Sequence, residues 1–235
     1  MPHHILAEPN DVAQVAIVVG DPGRARQIAT LLEDATCYND HRGLLGYTGM
    51  FEGARISAQT TGMGGPSAAI VVEELAQLGV RTVIRAGTCG AIGENVGVLD
   101  LVVATAAVPV DGTTRQYLGG DPFAPVGDLD VTNALRDAAE SSGLRTHTGL
   151  IVSEDAFYRQ ASDWETWRDR GVLAVEMEAA TIFTVALLRR LRAGCVCLVV
   201  NDTGVPGTWR PAHARAEAEE ALIRTALRAA KVFAQ

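Results

Sequence analysis

Two glycine-rich stretches, Gly20-Asp21-Pro22-Gly23 and Gly62-Met63-Gly64-Gly65-Pro66-Ser67, each separate an apolar run from a helical pattern. The backbone N–H groups of such a turn, with a helix dipole behind them, make an anion site. Arg24 stands one residue beyond Gly23, and Arg85 stands two residues before Gly87 at the end of another apolar run. A guanidinium is a forked, permanently charged donor set that suits phosphate oxygens. Taken singly, each glycine can simply shape a turn and each arginine can be a solvated charge. Two arginines beside glycine turns at strand ends, where α/β sheets bind ligands, favour an anion site. Neither turn matches GxGxxG, and no GxxxxGK[ST] occurs, so a dinucleotide fold and a nucleotide triphosphate loop both fit poorly.

Carboxylates supply the second set. Glu176 and Glu178 flank Met177 at the start of the most apolar helical stretch in the chain. Acidic residues in a first turn complement the helix dipole, which needs no ligand to explain it. A carboxylate so close to buried residues also needs partners, and a vicinal diol of a sugar would serve. Asp202 follows an apolar strand directly; it is either a turn former or a general acid or base at the edge of a sheet. His41, His147 and His213 lack metal-ligand spacing, and Ser57, Ser67 and Ser153 lack a GxSxG elbow. The four cysteines form no CxxC pair; Cys195 and Cys197 alternate in an apolar run and read as one face of a strand. Neither a zinc enzyme nor a serine hydrolase is supported, and no metal site is expected.

The elements that must hold these groups alternate between strand and helix. Residues 14–19 read as a buried strand, with Asp21 as N-cap and Pro22 as first residue of a helix on whose face Ala25, Ile28, Ala29 and Leu32 recur. Gly46–Phe51 and Ala54–Thr60 read as a hairpin turned at Glu52-Gly53. The second glycine turn opens a helix with Ala68, Val71, Val72, Leu75 and Leu78 on one face, and a strand over 81–85 runs into Gly87-Thr88-Cys89-Gly90. Strands over 101–108, 150–153 and 193–200, a helix near 131–142, a buried helix over 177–191 and an amphipathic terminal helix carrying Leu222, Ala226, Ala229 and Phe233 complete the pattern. The expectation is a three-layer α/β sandwich whose central sheet is mixed, because of the hairpin, and flanked by helices.

Composition bounds the rest. The 235 residues fit one domain spanning 1–235, with 48% apolar and 20% charged residues, which excludes disorder, collagen and coiled coil. A net charge of −8 argues against nucleic acid and anionic membranes as partners, though not against a small anion held by a few local cations. No apolar run approaches the roughly 18 residues of a membrane-spanning helix, and no secretory signal is evident, so a reduced, cytoplasmic enzyme is expected.

Read together and in order, the segments resemble the hexameric purine nucleoside phosphorylases, with uridine phosphorylases as near relatives. The likeness is carried by His4-Ile5, VVGDPGRARQIA (18–29), YNDHRGLLGYTG (38–49), GMGGPSAAIVVEEL (62–75), VIRAGTCGAI (83–92), SEDAFY (153–158), VEMEAA (175–180) and ND (201–202). The resemblance implies a phosphate site of Gly20, Arg24, Arg85 and Thr88, with Arg42 entering from a neighbouring subunit. It implies a ribose site of Met63, Met177 and Glu178, with Glu176 nearby and His4 reaching across the interface. It implies that Cys89, Gly90, Phe157 and Val175 frame the base, that Asp202 stands at the purine N7, and that Arg215 assists it. The loop over 204–212 departs from the family's usual segment, and Asn201 replaces the serine that many relatives carry before the aspartate.

The implied reaction is reversible phosphorolysis of purine ribo- or deoxyribonucleosides, with inorganic phosphate as co-substrate and no cofactor. The implied assembly is a hexamer built as three dimers. Uridine phosphorylases typically lack the aspartate, and the Gln-x-Arg pattern with which they read uracil is missing after Phe157-Tyr158, which favours purines. The alternatives are a uridine phosphorylase, a nucleoside hydrolase that uses water and would need no arginine cluster, and a noncatalytic nucleoside-binding module.

Overall fold

The computed structural model of the chain describes residues 2–158, 164–205 and 207–234. In chain order the elements are β1 (Val15–Val19), α1 (Pro22–Thr30), β2 (Glu33–Asn39), β3 (Gly46–Phe51), β4 (Ala54–Thr60), α2 (Gly65–Gln77), β5 (Thr82–Ala91), β6 (Leu101–Pro109), α3 (Gly112–Tyr117), α4 (Leu129–Glu140), β7 (Thr146–Ser153), α5 (Trp164–Asp169), β8 (Ala174–Glu176), α6 (Ala179–Arg189), β9 (Arg192–Asp202) and α7 (Ala216–Phe233).

The strands form one sheet in the order β2-β3-β4-β1-β5-β8-β7-β6-β9, and β9 also pairs back onto β5. The last five strands of that order therefore close into a ring, and β1 to β4 extend from it as an open wing. β4, β1, β5 and β9 run parallel, whereas β3 is antiparallel to β4 and β8 to β5, so the sheet is mixed. All five residues of β1 are buried, which requires cover on both faces. Val15, Ile17 and Val19 belong to one apolar core with residues of α1, α4 and α7, while Ala16 and Val18 belong to another with residues of α2 and α6. Two apolar cores on either side of one sheet make the three layers.

The hairpin is present with its expected bounds, and Asp21 caps α1 by accepting the Gly23 N–H at 2.7 Å, with Pro22 in the first turn. Other boundaries move for identifiable reasons. β5 continues through Gly87-Thr88-Cys89-Gly90, read from sequence as a turn after the strand, because β9 pairs with it along its whole length. α6 begins at Ala179 rather than 177, because the segment just before it, up to Glu176, is pulled into β8. α4 spans two residues earlier than expected, with Asp128 as its cap. β2 and β8 were not foreseen: β2 is a polar edge strand, exposed over most of its length, and β8 is only three residues long.

Candidate active site

The parallel strands end on one side of the sheet, and the glycine turns meet there. A Cβ placed on Gly20, after β1, would lie 3.3 Å from the Gly62 carbonyl oxygen, so the two turns abut backbone to backbone. Gly62 and Gly64 both hold positive φ (71° and 88°), the left-handed region that glycine adopts without strain. Gly64 is the N-cap of α2 and has no side chain to cap with; its N–H instead donates to Glu178 Oε1 at 2.6 Å.

Arg85 is the hub. It is buried, with Nε donating to Glu176 Oε2 at 2.9 Å and Nη2 pairing with Glu178 Oε2 at 2.5 Å. A Cβ on Gly87 would come within 2.6 Å of the Arg85 Cζ, so the guanidinium folds back over its own strand, across the gap the glycine leaves. Burial alone would lower the Arg85 pKa, but the Glu178 and Glu176 carboxylates outweigh it and raise it well above its ordinary value. Glu176 is almost wholly spoken for. It accepts from the Glu178 and Ala179 N–H groups at 2.8 and 2.9 Å and from the Ser153 hydroxyl, and so caps α6, whose next amide, on Ala180, donates to Ser153 Oγ. Burial pushes the Glu176 carboxyl up to about 7, and the guanidinium pulls it the other way. Glu176 thus does for α6 what a first-turn acid does, while Glu178 bridges Arg85 to the second glycine turn.

Arg24 forms a second buried cation beside the first turn. Its Nη1 donates to the Ala86 carbonyl at 3.3 Å and its Nη2 to Glu219 Oε1 at 3.1 Å, while the buried Nε has no partner among the described residues. The same Glu219 oxygen accepts from Arg215 Nε at 2.9 Å, so Arg215 is drawn to the Arg24 side of the site from just ahead of α7. Arg215 also lies 5.7 Å from the Trp209 ring, which meets Phe157 edge-on at 6.2 Å. Trp209, Glu219 and Ser153 had no place in the sequence reading of the site. The Arg215–Glu219 spacing of four was a visible signal, since such pairs meet on one helix face.

At the far end of β5, Gly90 lies opposite Asn201 and Ala91 opposite Asp202, after an irregularity in the β5–β9 register. A Cβ on Gly90 would come within 2.7 Å of Thr203 Cγ2 and touch the Asn201 amide, so a larger residue there would displace Thr203. Asp202 Oδ1 accepts the Gly204 N–H at 2.8 Å, and its backbone N–H donates to Thr208 Oγ1. Cys89 is buried, and a hydrogen bond with Cys197, together with burial, pushes its thiol pKa up. The Cys195 and Cys197 sulfurs, 3.7 Å apart, share one face of β9 as expected. Val175 pairs with Gly90 across β8 and β5, and Thr88 sits in the same stretch of β5.

Met63 is 82% exposed and Phe157 59% exposed, so both stand open in the single chain. His4 is held by Glu74 of α2, through its Nδ1 at 2.8 Å and its backbone N–H. Arg42 stands exposed in a one-turn 3-10 helix at φ 56°. The stretch just past Tyr158, where the uracil-reading Gln-x-Arg pattern is missing from the sequence, lies outside the described residues.

Residues 14–235 match the family model of the phosphorylase superfamily. The chain is 42% identical to a purine nucleoside phosphorylase DeoD-type from Geobacillus sp. (strain WCH70), over 97% of both chains. It is 42% identical to a guanosine phosphorylase from Halorubrum lacusprofundi, over 83% of this chain and 81% of the other. It is 40% identical to a uridine phosphorylase from Thermococcus kodakarensis, over 94% and 87% respectively.

Proposed function

The chain belongs to the phosphorylase superfamily, and from that premise we propose that it is a purine nucleoside phosphorylase, cleaving purine ribo- or deoxyribonucleosides with inorganic phosphate. The observation that carries the reading is the pair of buried guanidiniums, Arg24 in the first turn of α1 and Arg85 within β5 opposite Val18 of β1, beside two abutting glycine turns. Carboxylates meet both cations, but the buried Arg24 Nε has no partner among the described residues, a donor that an oxyanion can use. A nucleosidase that uses water has no need of such a site.

Phosphorolysis breaks the C1′–N9 bond and forms a C1′–O bond to phosphate, passing through a cationic, oxocarbenium-like sugar. Gly20, Arg24, Arg85 and Thr88 hold the phosphate under C1′, and the bound anion stabilises the positive sugar. Glu178, fixed by Arg85 and by the Gly64 N–H, accepts from the ribose hydroxyls; Met63 and Met177 supply apolar contact, and Glu176 keeps Glu178 in place through α6. Cys89, as a neutral thiol, frames the base with Gly90, Val175 and Phe157. Asp202 Oδ1 is engaged by Gly204, which leaves Oδ2 to carry the proton given to purine N7 as the base departs. A positioned acid of this kind is worth about 10²–10⁴-fold. Arg215 assists it. Inorganic phosphate is a co-substrate, and no cofactor takes part.

The active assembly is at least a dimer and, by likeness to the family, a hexamer of three dimers, with His4 and Arg42 reaching into a neighbour's site. Among the described residues no helix is long and apolar enough to cross a membrane, and we assign the enzyme to the cytoplasm.

The test is a panel of inosine, guanosine, adenosine and uridine, each with and without phosphate, with free base and sugar 1-phosphate as products. Purine release that requires phosphate and yields equal amounts of both products is the expected result. Equal cleavage without phosphate means a hydrolase; preferential uridine turnover means the pyrimidine enzyme; saturable binding without turnover means a binding module.

A further inference from the structure

Glu219 is buried (6% exposed) in the first turn of α7, where two guanidiniums converge on one of its oxygens. Arg24 Nη2 approaches Oε1 at 3.1 Å and Arg215 Nε approaches it at 2.9 Å; the carboxylate and both arginine side chains are shielded from water. Two buried cations this close would repel one another without an intervening anion. Their geometry is fixed on the outer sides as well. Arg24 Nη1 donates to the Ala86 carbonyl, and Arg215 Nη1 donates to the Arg210 carbonyl at 2.8 Å while its guanidinium lies over Trp209. Among the described residues, the one group common to both arginines is the Glu219 carboxylate.

We infer that Glu219 is a positioning residue that links the phosphate end of the site to the proton-donating end. The inference rests on the roles proposed above for Arg24 and Arg215. By holding Arg24 at the first glycine turn, Glu219 fixes a phosphate ligand. By holding Arg215 on the same oxygen, it sets the cation that supports Asp202. A defect at Glu219 must therefore appear at both ends of the reaction together, although the carboxylate touches neither substrate.

The two ends can be read separately. Binding of phosphate is read in the phosphate KM. Proton donation is read by comparing inosine with 7-methylinosine, whose base already carries a positive charge and leaves as a neutral molecule without a proton at N7. Steady-state kinetics of Glu219→Ala and Glu219→Gln, with melting curves to establish folding, give the answer. In Glu219→Ala the phosphate KM rises about tenfold or more, the scale of one charge-assisted hydrogen bond. Its kcat on inosine falls by a similar factor, and its kcat on 7-methylinosine stays within about twofold of the parent. Glu219→Gln keeps an oxygen acceptor in the same shape and lies between the two. Unchanged kinetics in both variants overturn the inference. So does a fall in kcat that is equal on inosine and 7-methylinosine at constant phosphate KM, which is what loss of folded enzyme alone produces. If Glu219→Ala does not fold, the same criteria are applied to Glu219→Gln. Cleavage of inosine by the unsubstituted enzyme that needs no phosphate overturns the phosphorylase reading itself, and the role of Glu219 with it.

Discussion

Arg85 meets two carboxylates, and each of those carboxylates meets something else: Glu176 the N-terminus of α6, Glu178 the N-terminus of α2. One guanidinium therefore ties two helix starts to β5. Removing it leaves two buried carboxylates unpaired, so Arg85→Ala is expected to cost roughly 3–5 kcal/mol of stability, the range for breaking a buried pair. A chemical denaturation curve measures this, and a loss below about 1 kcal/mol would contradict the burial argument. Gly87 tests the same contact from the other side. Gly87→Ala places a Cβ 2.6 Å from the Arg85 Cζ, so the guanidinium must move. The expected outcome is a fall in phosphate-dependent turnover of about tenfold or more, as for a lost charge-assisted contact, in a protein that still folds. Asp202→Asn keeps the shape and the Oδ1 acceptor for Gly204 but removes the proton. It is expected to slow inosine by about 10²–10⁴-fold and to spare 7-methylinosine, which needs no proton at N7. Equal loss on both substrates would take the acid role away from Asp202.

At the scale of elements, the N-terminal segment is held by one side chain of α2. Glu74 is buried and accepts the N–H groups of His3, His4 and Ile5 as well as His4 Nδ1. Burial opposes ionisation, but these hydrogen bonds outweigh it and hold the Glu74 carboxyl below its ordinary value. The anchoring it provides is thus present above the unfolded-state pKa of about 4.5 and is lost as pH falls through the lower folded value. The protection of the residue 3–5 amides, taken as the intrinsic exchange rate at each pH over the observed one, is expected to be high at neutral pH and to fall on acidification. In Glu74→Gln, which cannot ionise, protection is lower than in the parent at neutral pH and its acid dependence flattens. An unchanged pH profile would show that Glu74 is not the anchor.

The same scale explains what could be read without coordinates. The glycine turns, the hairpin, the cap at Asp21 and the alternating strands and helices are local signals, and they were legible. β8 was not, because its pairing with Gly90 and Ala91 on one side and with Ile151 to Ser153 on the other is wholly long-range. β2 was not, because an exposed edge strand carries no apolar alternation. Of the site, the arginines were visible beside the glycine turns, Glu178 at the start of an apolar helix and Asp202 at the end of an apolar strand. That Glu176 would cap α6 depends on β8 turning straight into the helix, and that Glu219 would face Arg24 depends on α7 packing across β1 and β5. Neither is written in spacing along the chain.

For the whole molecule, charge balance bears on assembly. Within one chain the buried Arg24 and Arg85 and the half-buried Arg215 are met by three carboxylates: Arg85 by Glu176 and Glu178, Arg24 and Arg215 by Glu219. A phosphate dianion brought to this set calls for further positive charge, and among the described residues no arginine besides Arg24 and Arg85 is buried. Arg42 is exposed and is held at positive φ by a tight turn, a costly conformation for a residue with a side chain. A neighbour's Arg42 would supply the missing charge. The consequence can be tested by mixing two inactive proteins. Arg42→Ala retains Asp202, and Asp202→Asn retains Arg42. In a mixed dimer, the site that takes Asp202 from the first subunit and Arg42 from the second is intact, while the other site lacks both. Random reassociation of equal amounts is then expected to restore about a quarter of the sites of the unsubstituted protein, since half the dimers are mixed and each has one good site. Dissociating and remixing the two variants, then assaying phosphate-dependent inosine cleavage, measures that fraction. Activity that never exceeds that of the separate variants would place Arg42 in the site of its own chain, or outside the site altogether.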